Sequence, residues 1–188
     1  MEVTIPSRIS RRGFLAAGAG VVLSTPLPSV PGRASAAREF RLVAAAGRAP
    51  LVGGGYPETA VWAYNGSVPG PEIRVRQGER LRIIVENGLK EDTAVHWHGV
   101  RVPNAMDGVP HLTQKPIAPG ESFTYEFEAP DAGTYWYHPH QRSFEQIGRG
   151  LHGALVVEER EPVLVDRDVV WVLGDWRLLQ DASISDET

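Results

Sequence analysis

Short runs in which apolar and polar residues alternate are the feature that most restricts the fold of this chain. Side chains two residues apart in a strand point to the same face, so this alternation indicates strands that bury one face. Prolines and glycines, 15 and 20 of the 188 residues, separate the runs and indicate frequent turns. The sequence therefore predicts an all-β fold, a two-sheet Greek-key β-sandwich. The predicted strands cover residues 40–44, 61–64, 73–76, 81–86, 93–98, 122–128, 134–138 and 153–158.

Composition places limits on the partners of the chain. The formal net charge is −4, and no Lys/Arg cluster predicts binding to nucleic acid or to an anionic membrane surface. No apolar stretch reaches the ~18–20 residues that a membrane-spanning helix requires. We therefore expect neither a nucleic-acid partner nor a membrane span.

The N-terminal segment, residues 1–36, is predicted to lie outside the fold. Ser10-Arg11-Arg12-Gly13-Phe14-Leu15 precedes a mildly apolar run, and Ala34-Ser35-Ala36 offers small residues at a cleavage site. This arrangement resembles a twin-arginine signal peptide cleaved after Ala36. It implies export to the periplasm or the extracellular space. An amphipathic helix that stays attached is the alternative.

The end of the chain differs in character from the central part. Residues 159–162 have the composition of a linker, and residues 168–176 form a new apolar run that predicts a strand. A lone strand cannot close a sheet. We therefore expect the chain to be the front part of a larger protein, whether a fragment, a truncated gene or a pseudogene product. The alternative is that the segment folds back as an extra strand of the first domain.

Two His-x-His pairs contain four of the six histidines. They are His96-Trp97-His98 and His138-Pro139-His140, and both lie in or at the end of predicted strands. Each pair directs two imidazoles to one face, so neighbouring strands would bring four nitrogen donors together. Imidazole suits copper, zinc, iron and nickel. The spacing predicts a metal site and leaves zinc open; histidines that merely cap a sheet are the alternative.

The segments around these histidines resemble the first cupredoxin (plastocyanin-like) domain of laccase-like multicopper oxidases. The similarity covers residues 64–158 and implies a cupredoxin domain over residues 37–158, with residues 159–188 holding a linker and the start of a second one. The matching segments, in order, are His96-Trp97-His98-Gly99, Met106-Asp107-Gly108, Thr113-Gln114-Lys115-Pro116-Ile117 and Gly133-Thr134-Tyr135-Trp136-Tyr137-His138-Pro139-His140.

The resemblance implies a set of copper ligands. His96 would bind the type 2 copper, His98 and His138 one type 3 copper, and His140 the other. These residues are half of the histidine ligands of a trinuclear cluster that reduces dioxygen to water. Asp107 would supply protons beside the coppers, with an Asp-Gly turn residue as the alternative. The implied partners are C-terminal cupredoxin domains, dioxygen and an unidentified reducing substrate.

The sequence lacks other parts of such an enzyme. A blue type 1 copper site needs a cysteine thiolate, and the chain has no cysteine. Beyond the two pairs, the remaining histidines are His111 and His152. His111 is expected in a surface loop, and His152 is expected to serve packing or proton handling. We therefore expect the chain alone to be inactive. A non-enzymatic export or copper-buffering protein of the same fold is the alternative function. Tyr135, Trp136 and Tyr137 are expected to serve core and strand packing, with an electron-hopping relay as the alternative.

Overall fold

The alternating runs form eight strands in the computed structural model, which describes residues 36–185. Within this range, regular helix is limited to one short α-helix, α1 (Ser143–Gly148), and a 3-10 turn, Asn104–Met106. The strands are β1 (Arg38–Ala49), β2 (Thr59–Tyr64), β3 (Gly70–Arg76), β4 (Arg80–Asn87), β5 (His96–His98), β6 (Ser122–Glu128), β7 (Gly133–His138) and β8 (Gly153–Glu158).

The strands form two four-stranded sheets. One sheet has the order β2-β1-β4-β6 and the other the order β3-β8-β7-β5. The pairs β1–β4 and β3–β8 are parallel, whereas the remaining neighbours are antiparallel. Strands that follow one another in sequence therefore often lie in different sheets, as in a Greek-key sandwich. The predicted all-β fold is confirmed.

The core lies between the two sheets and contains the inward-facing residue of each alternation. Its largest fully buried side chains include Trp97, Tyr64, Tyr125 and Tyr137. The Trp97 ring meets the Tyr125 ring edge to face, with the ring centroids 5.2 Å apart. Trp97 of β5 is paired with Tyr137 of β7, and both side chains are buried. Since neighbours along a strand point to opposite faces, this burial turns the flanking residues of both strands outward.

Strand β5 is shorter than the sequence predicted. We expected a strand over residues 93–98, but the regular strand contains only His96–His98. Thr93 instead forms a single bridge with Ile117, with N···O distances of 3.0 and 2.8 Å, and its hydroxyl donates to the Gln146 side chain. The backbone of Thr93 thus pairs with a loop instead of a sheet strand.

Residues 168–176, for which we predicted a strand, have no regular secondary structure. A strand needs a hydrogen-bonded neighbour, and within residues 36–185 this run pairs with no strand. The segment instead packs on the sandwich as irregular chain. Asp168 accepts a hydrogen bond from Arg74 at 2.7 Å, Trp176 packs against a small cluster that includes Val61, and Thr59 Oγ1 donates to the Ala182 carbonyl at 2.7 Å.

The described residues, 36–185, belong to one compact unit. The predicted signal peptide, apart from Ala36, lies outside the described residues. None of the helices found between residues 36 and 185 has the length and apolar character needed to span a membrane.

Candidate metal centre

The pairing of β5 with β7 brings the two histidine pairs together. His96 lies opposite His138 and His98 opposite Trp136 in an antiparallel register. Because Trp97 and Tyr137 fill the core, these four side chains share the outward face of the strand pair. His140 follows two residues after His138, just beyond the end of β7. The local alternation of the two strands therefore explains why the imidazoles meet.

The four imidazoles form one group, called here the histidine cluster: His96, His98, His138 and His140. The centroid of the His96 ring lies 5.6 Å from that of His98, 5.5 Å from that of His138 and 4.8 Å from that of His140. One nitrogen from each of His96, His98 and His138 lies within 4.8 Å of the others. The predicted convergence of the two pairs is therefore observed.

Backbone carbonyls determine which ring nitrogen is free in two of these residues. His96 Nδ1 lies 2.7 Å from the Asp107 carbonyl oxygen, and His138 Nδ1 lies 2.9 Å from the Pro139 carbonyl oxygen. A carbonyl only accepts hydrogen bonds, so each Nδ1 carries the proton in the neutral ring. Each Nε2 therefore keeps its lone pair, which is the arrangement a metal ligand needs.

His98 and His138 have the geometry of two ligands of one ion. His98 Nδ1 lies 3.2 Å from His138 Nε2. Two nitrogens bound to one tetrahedral ion at the usual 2.0–2.1 Å would be about 3.3 Å apart. Without an ion, one proton shared between the two nitrogens fits the same distance.

The environment favours neutral imidazoles. Burial lowers the pKa of His138 to about 4; the Pro139 carbonyl opposes this shift, and the other three histidines of the cluster add to it. Burial is also the main cause that lowers the pKa of His140, against the opposing charge of Asp107. The neutral ring is the form that binds metals.

Asp107 lies beside the cluster, as the sequence predicted. Its carboxylate Oδ1 is 3.4 Å from His96 Nδ1, and its backbone carbonyl accepts the hydrogen bond from the same nitrogen. The next residue, Gly108, has φ of +76°, and a Cβ there would overlap the Val95 carbonyl oxygen. Only glycine allows this loop to approach β5 so closely.

A buried polar contact holds the segment that follows His140. Gln146 of α1 is fully buried and accepts a hydrogen bond from Thr93 Oγ1 at 2.8 Å. Its amide nitrogen donates to the Asp92 carbonyl at 2.8 Å and to the Glu91 carboxylate at 2.9 Å. The helix is thus joined to the segment that leads into β5, and sequence reasoning did not identify this contact.

Trp136 departs from its predicted role. Core and strand packing was expected for Trp136 as for Tyr137, but only Tyr137 is fully buried, whereas Trp136 is 36% exposed. Its indole stacks on the His138 ring with centroids 4.0 Å apart and lies 5.2 Å from the His98 ring. The signal was present in the sequence, since residues 136 and 138 share one face of a strand.

The two remaining histidines have different environments. His111 is exposed in a loop, as predicted, and has φ of 64°. His152 is partly buried in an apolar groove that also contains Trp136 and Trp176. The His152 Nδ1 atom is buried and has no hydrogen-bond partner among residues 36–185, and burial lowers the pKa of this ring.

Comparison with known proteins identifies the family. The model of a multicopper oxidase domain matches residues 48–162, more than half of the chain. Copper resistance protein A of Pseudomonas syringae pv. tomato is 39% identical over 183 residues, which are 90% of this chain and 29% of that protein. Multicopper oxidase MmcO of Mycobacterium tuberculosis is 35% identical over 187 residues, covering 90% of this chain and 36% of the relative.

A solved structure has the same fold. Lac15 from a marine microbial metagenome is 46% identical, with a TM-score of 0.74 over 78% of this chain and 39% of that one. The chain thus spans less than two fifths of the length of each of these three proteins. The two-sheet sandwich, the histidine cluster and these similarities together show that the chain belongs to the multicopper oxidase family.

Proposed function

We propose that residues 37–158 are the first cupredoxin domain of a laccase-like multicopper oxidase. In this proposal the histidine cluster provides half of the histidine ligands of a trinuclear copper centre. The observation that carries the proposal is the pairing of two His-x-His segments on adjacent strands, with His98 Nδ1 and His138 Nε2 3.2 Å apart.

The donor set fits copper. All four side chains offer imidazole nitrogen, and the low pKa of His138, about 4, keeps that ring neutral at physiological pH. Imidazole is a good ligand for copper, and the Irving–Williams order places copper(II) above zinc for such a site. By resemblance to the family, His96 binds the type 2 copper, His98 and His138 one type 3 copper, and His140 the other.

The surrounding residues would orient these ligands and manage protons. Copper bound here would supply the redox chemistry by which the family reduces dioxygen to water. The Asp107 carbonyl holds the Nδ1 proton of His96, so that His96 Nε2 faces the cluster. The Asp107 carboxylate is 3.4 Å from the same nitrogen and about one third exposed, and in this proposal it would exchange protons with solvent beside the cluster.

Electron uptake would require residues that the 188-residue sequence does not contain, because it has no cysteine for a blue copper site. We therefore propose further cupredoxin domains as partners, with dioxygen and a reducing substrate of unassigned identity. The twin-arginine motif at Arg11 and Arg12 supports export, which would place the protein in the periplasm or outside the cell. A copper-buffering role has no comparable support, since the similar proteins include oxidases.

Copper titration tests the proposal. We expect the purified chain to bind copper(II). Losing a residue that orients a ligand typically weakens metal binding about 10–100-fold. The double variant His98→Ala/His138→Ala loses two ligands and should therefore bind copper(II) about 100-fold more weakly, or weaker still. The control is His111→Ala, which removes an exposed loop histidine and should leave the affinity unchanged. Equal copper affinity in the double variant and the parent would contradict the proposal, as would preference for zinc in direct competition.

A further inference from the structure

Trp136 completes the outward face of the β5–β7 pair. It lies directly opposite His98 and two residues before His138 on the same strand. The face therefore carries three imidazoles and one indole, in a two-by-two arrangement. Nothing in the proposed set of copper ligands gives the indole a role.

The indole contacts both members of the closest donor pair. It stacks on the His138 ring with centroids 4.0 Å apart and planes 30° apart, and its centroid is 5.2 Å from that of His98. Those two imidazoles are the ones whose nitrogens approach to 3.2 Å. The indole of Trp136 therefore lies against both imidazole rings of the His98–His138 pair.

The need for this contact is greatest at His98. The His96 and His138 rings each donate to a backbone carbonyl, which fixes their orientation. Within residues 36–185, the His98 ring has its hydrogen bond only with the His138 ring, and its side chain is exposed. An exposed ring without a backbone partner keeps one orientation only if neighbouring rings hold it, and aromatic contacts of this kind are worth about 0.5–1.5 kcal/mol each.

We propose that Trp136 is a positioning residue for the His98–His138 donor pair. Its indole holds both imidazoles in the arrangement that accepts one copper ion. This inference rests on the proposed function in naming copper, whereas the positioning itself exists in the metal-free protein. Trp136 is 36% exposed and lies outside the buried core cluster, and its ring contacts are with His98 and His138.

The test compares matched substitutions in the 188-residue chain. Trp136→Leu removes the ring and keeps an apolar side chain, and Trp136→Phe keeps a ring that can stack. Trp171→Leu is the control, because it makes the same change at a tryptophan that is 81% exposed and lies outside the cluster. Copper(II) affinity is measured by competition, and the nitrogen-bound protons of the imidazoles are followed by NMR in the metal-free protein.

We expect Trp136→Leu to bind copper about 10–100-fold more weakly than the parent, as for other residues that orient a ligand. Trp136→Phe should remain within about threefold, and Trp171→Leu should match the parent. In the metal-free parent, His98 Nδ1 and His138 Nε2 should share one proton. Trp136→Leu should lose this signal and show a mixture of His98 tautomers, a change that altered stability alone does not produce.

Several results would overturn the proposal. They are a copper affinity of Trp136→Leu within threefold of the parent, an unchanged proton signal in that variant, or a loss in Trp136→Phe as large as in Trp136→Leu. If Trp136→Leu does not fold, Trp136→Val replaces it under the same criteria, and failure of both to fold makes Trp136 a structural residue and overturns the proposal. If the parent binds no copper, the proposed function fails, and the NMR comparison still decides the positioning role.

Discussion

Replacing Gly108 by alanine should disturb both the stability of the fold and the orientation of His96. Gly108 is buried with φ of +76°, and a Cβ there would overlap the Val95 carbonyl oxygen and lie 2.9 Å from the His96 backbone nitrogen. The added methyl group must push the loop away from β5. This movement lengthens the 2.7 Å contact between the Asp107 carbonyl and His96 Nδ1.

The magnitude follows from two contributions. The left-handed backbone conformation costs a non-glycine residue about 1–2 kcal/mol. Forcing a methyl group into occupied space typically costs about 1–3 kcal/mol more. We therefore expect the free energy of unfolding to fall by about 2–5 kcal/mol. Gly120→Ala is a matched control, because Gly120 has φ of +80° and open space around the position of a Cβ; this variant should lose only the first contribution.

Urea denaturation of the metal-free variants and copper(II) titration provide the measurements. Gly108→Ala should be at least about 1 kcal/mol less stable than Gly120→Ala and should bind copper about 10-fold more weakly, because His96 loses the group that orients it. Gly120→Ala should bind copper as the parent does. Equal stability and equal copper affinity in the two variants would refute the argument that close approach of this loop orients His96.

Three further outcomes are expected. Gln146→Leu should lower the free energy of unfolding by about 2 kcal/mol in urea denaturation, because the buried Thr93 hydroxyl loses its acceptor; an unchanged midpoint would contradict this. Burial lowers the pKa of His152, so the unfolded chain takes up a proton at higher pH than the folded protein, and stability falls as the pH drops below about 6.5. His152→Gln should therefore lose less stability than the parent between pH 7.5 and 5.5, and equal losses would exclude this cause. The copper-loaded chain should show neither blue thiolate-to-copper absorption nor oxygen consumption with a phenolic reductant, because it has no cysteine; steady turnover free of contaminating oxidase would refute this.

Alternation along the chain predicted most of the fold, because it depends only on neighbouring residues. The bounds expected for β6 and β8 are those observed. The expectation failed for residues 93–95, whose pairing depends on distant partners. Thr93 bonds to Gln146, which is 53 residues later in the chain. The alternation of apolar and polar residues along the chain does not indicate such a contact.

The histidine pairs predicted the site for the same reason, since each pair needs only a strand to direct its rings. The groups that orient the imidazole rings were harder to predict from the sequence. The Asp107 carbonyl reaches His96 through the path of a loop, and any residue type offers a carbonyl. The sequence predicts core and strand packing for Trp136, whereas its indole lies on the face of the histidines. Because Trp136 lies two residues before His138 in one strand, both side chains share the face opposite to Tyr137. This spacing alone indicates that the indole lies beside the histidines.

Trp97 and Tyr137 point into the core and the histidines point to the opposite face, and this arrangement restricts how the region can change during evolution. Inserting or deleting one residue within β5 or β7 reverses the direction of every side chain beyond that point. Imidazoles would enter the core, and the aromatic rings of Trp97 and Tyr137 would face the metal ligands. Only changes of two residues preserve both faces. Length variation should therefore accumulate in the connection between the two strands, residues 99–132, outside β6 and the loop of Asp107 and Gly108 that contacts His96.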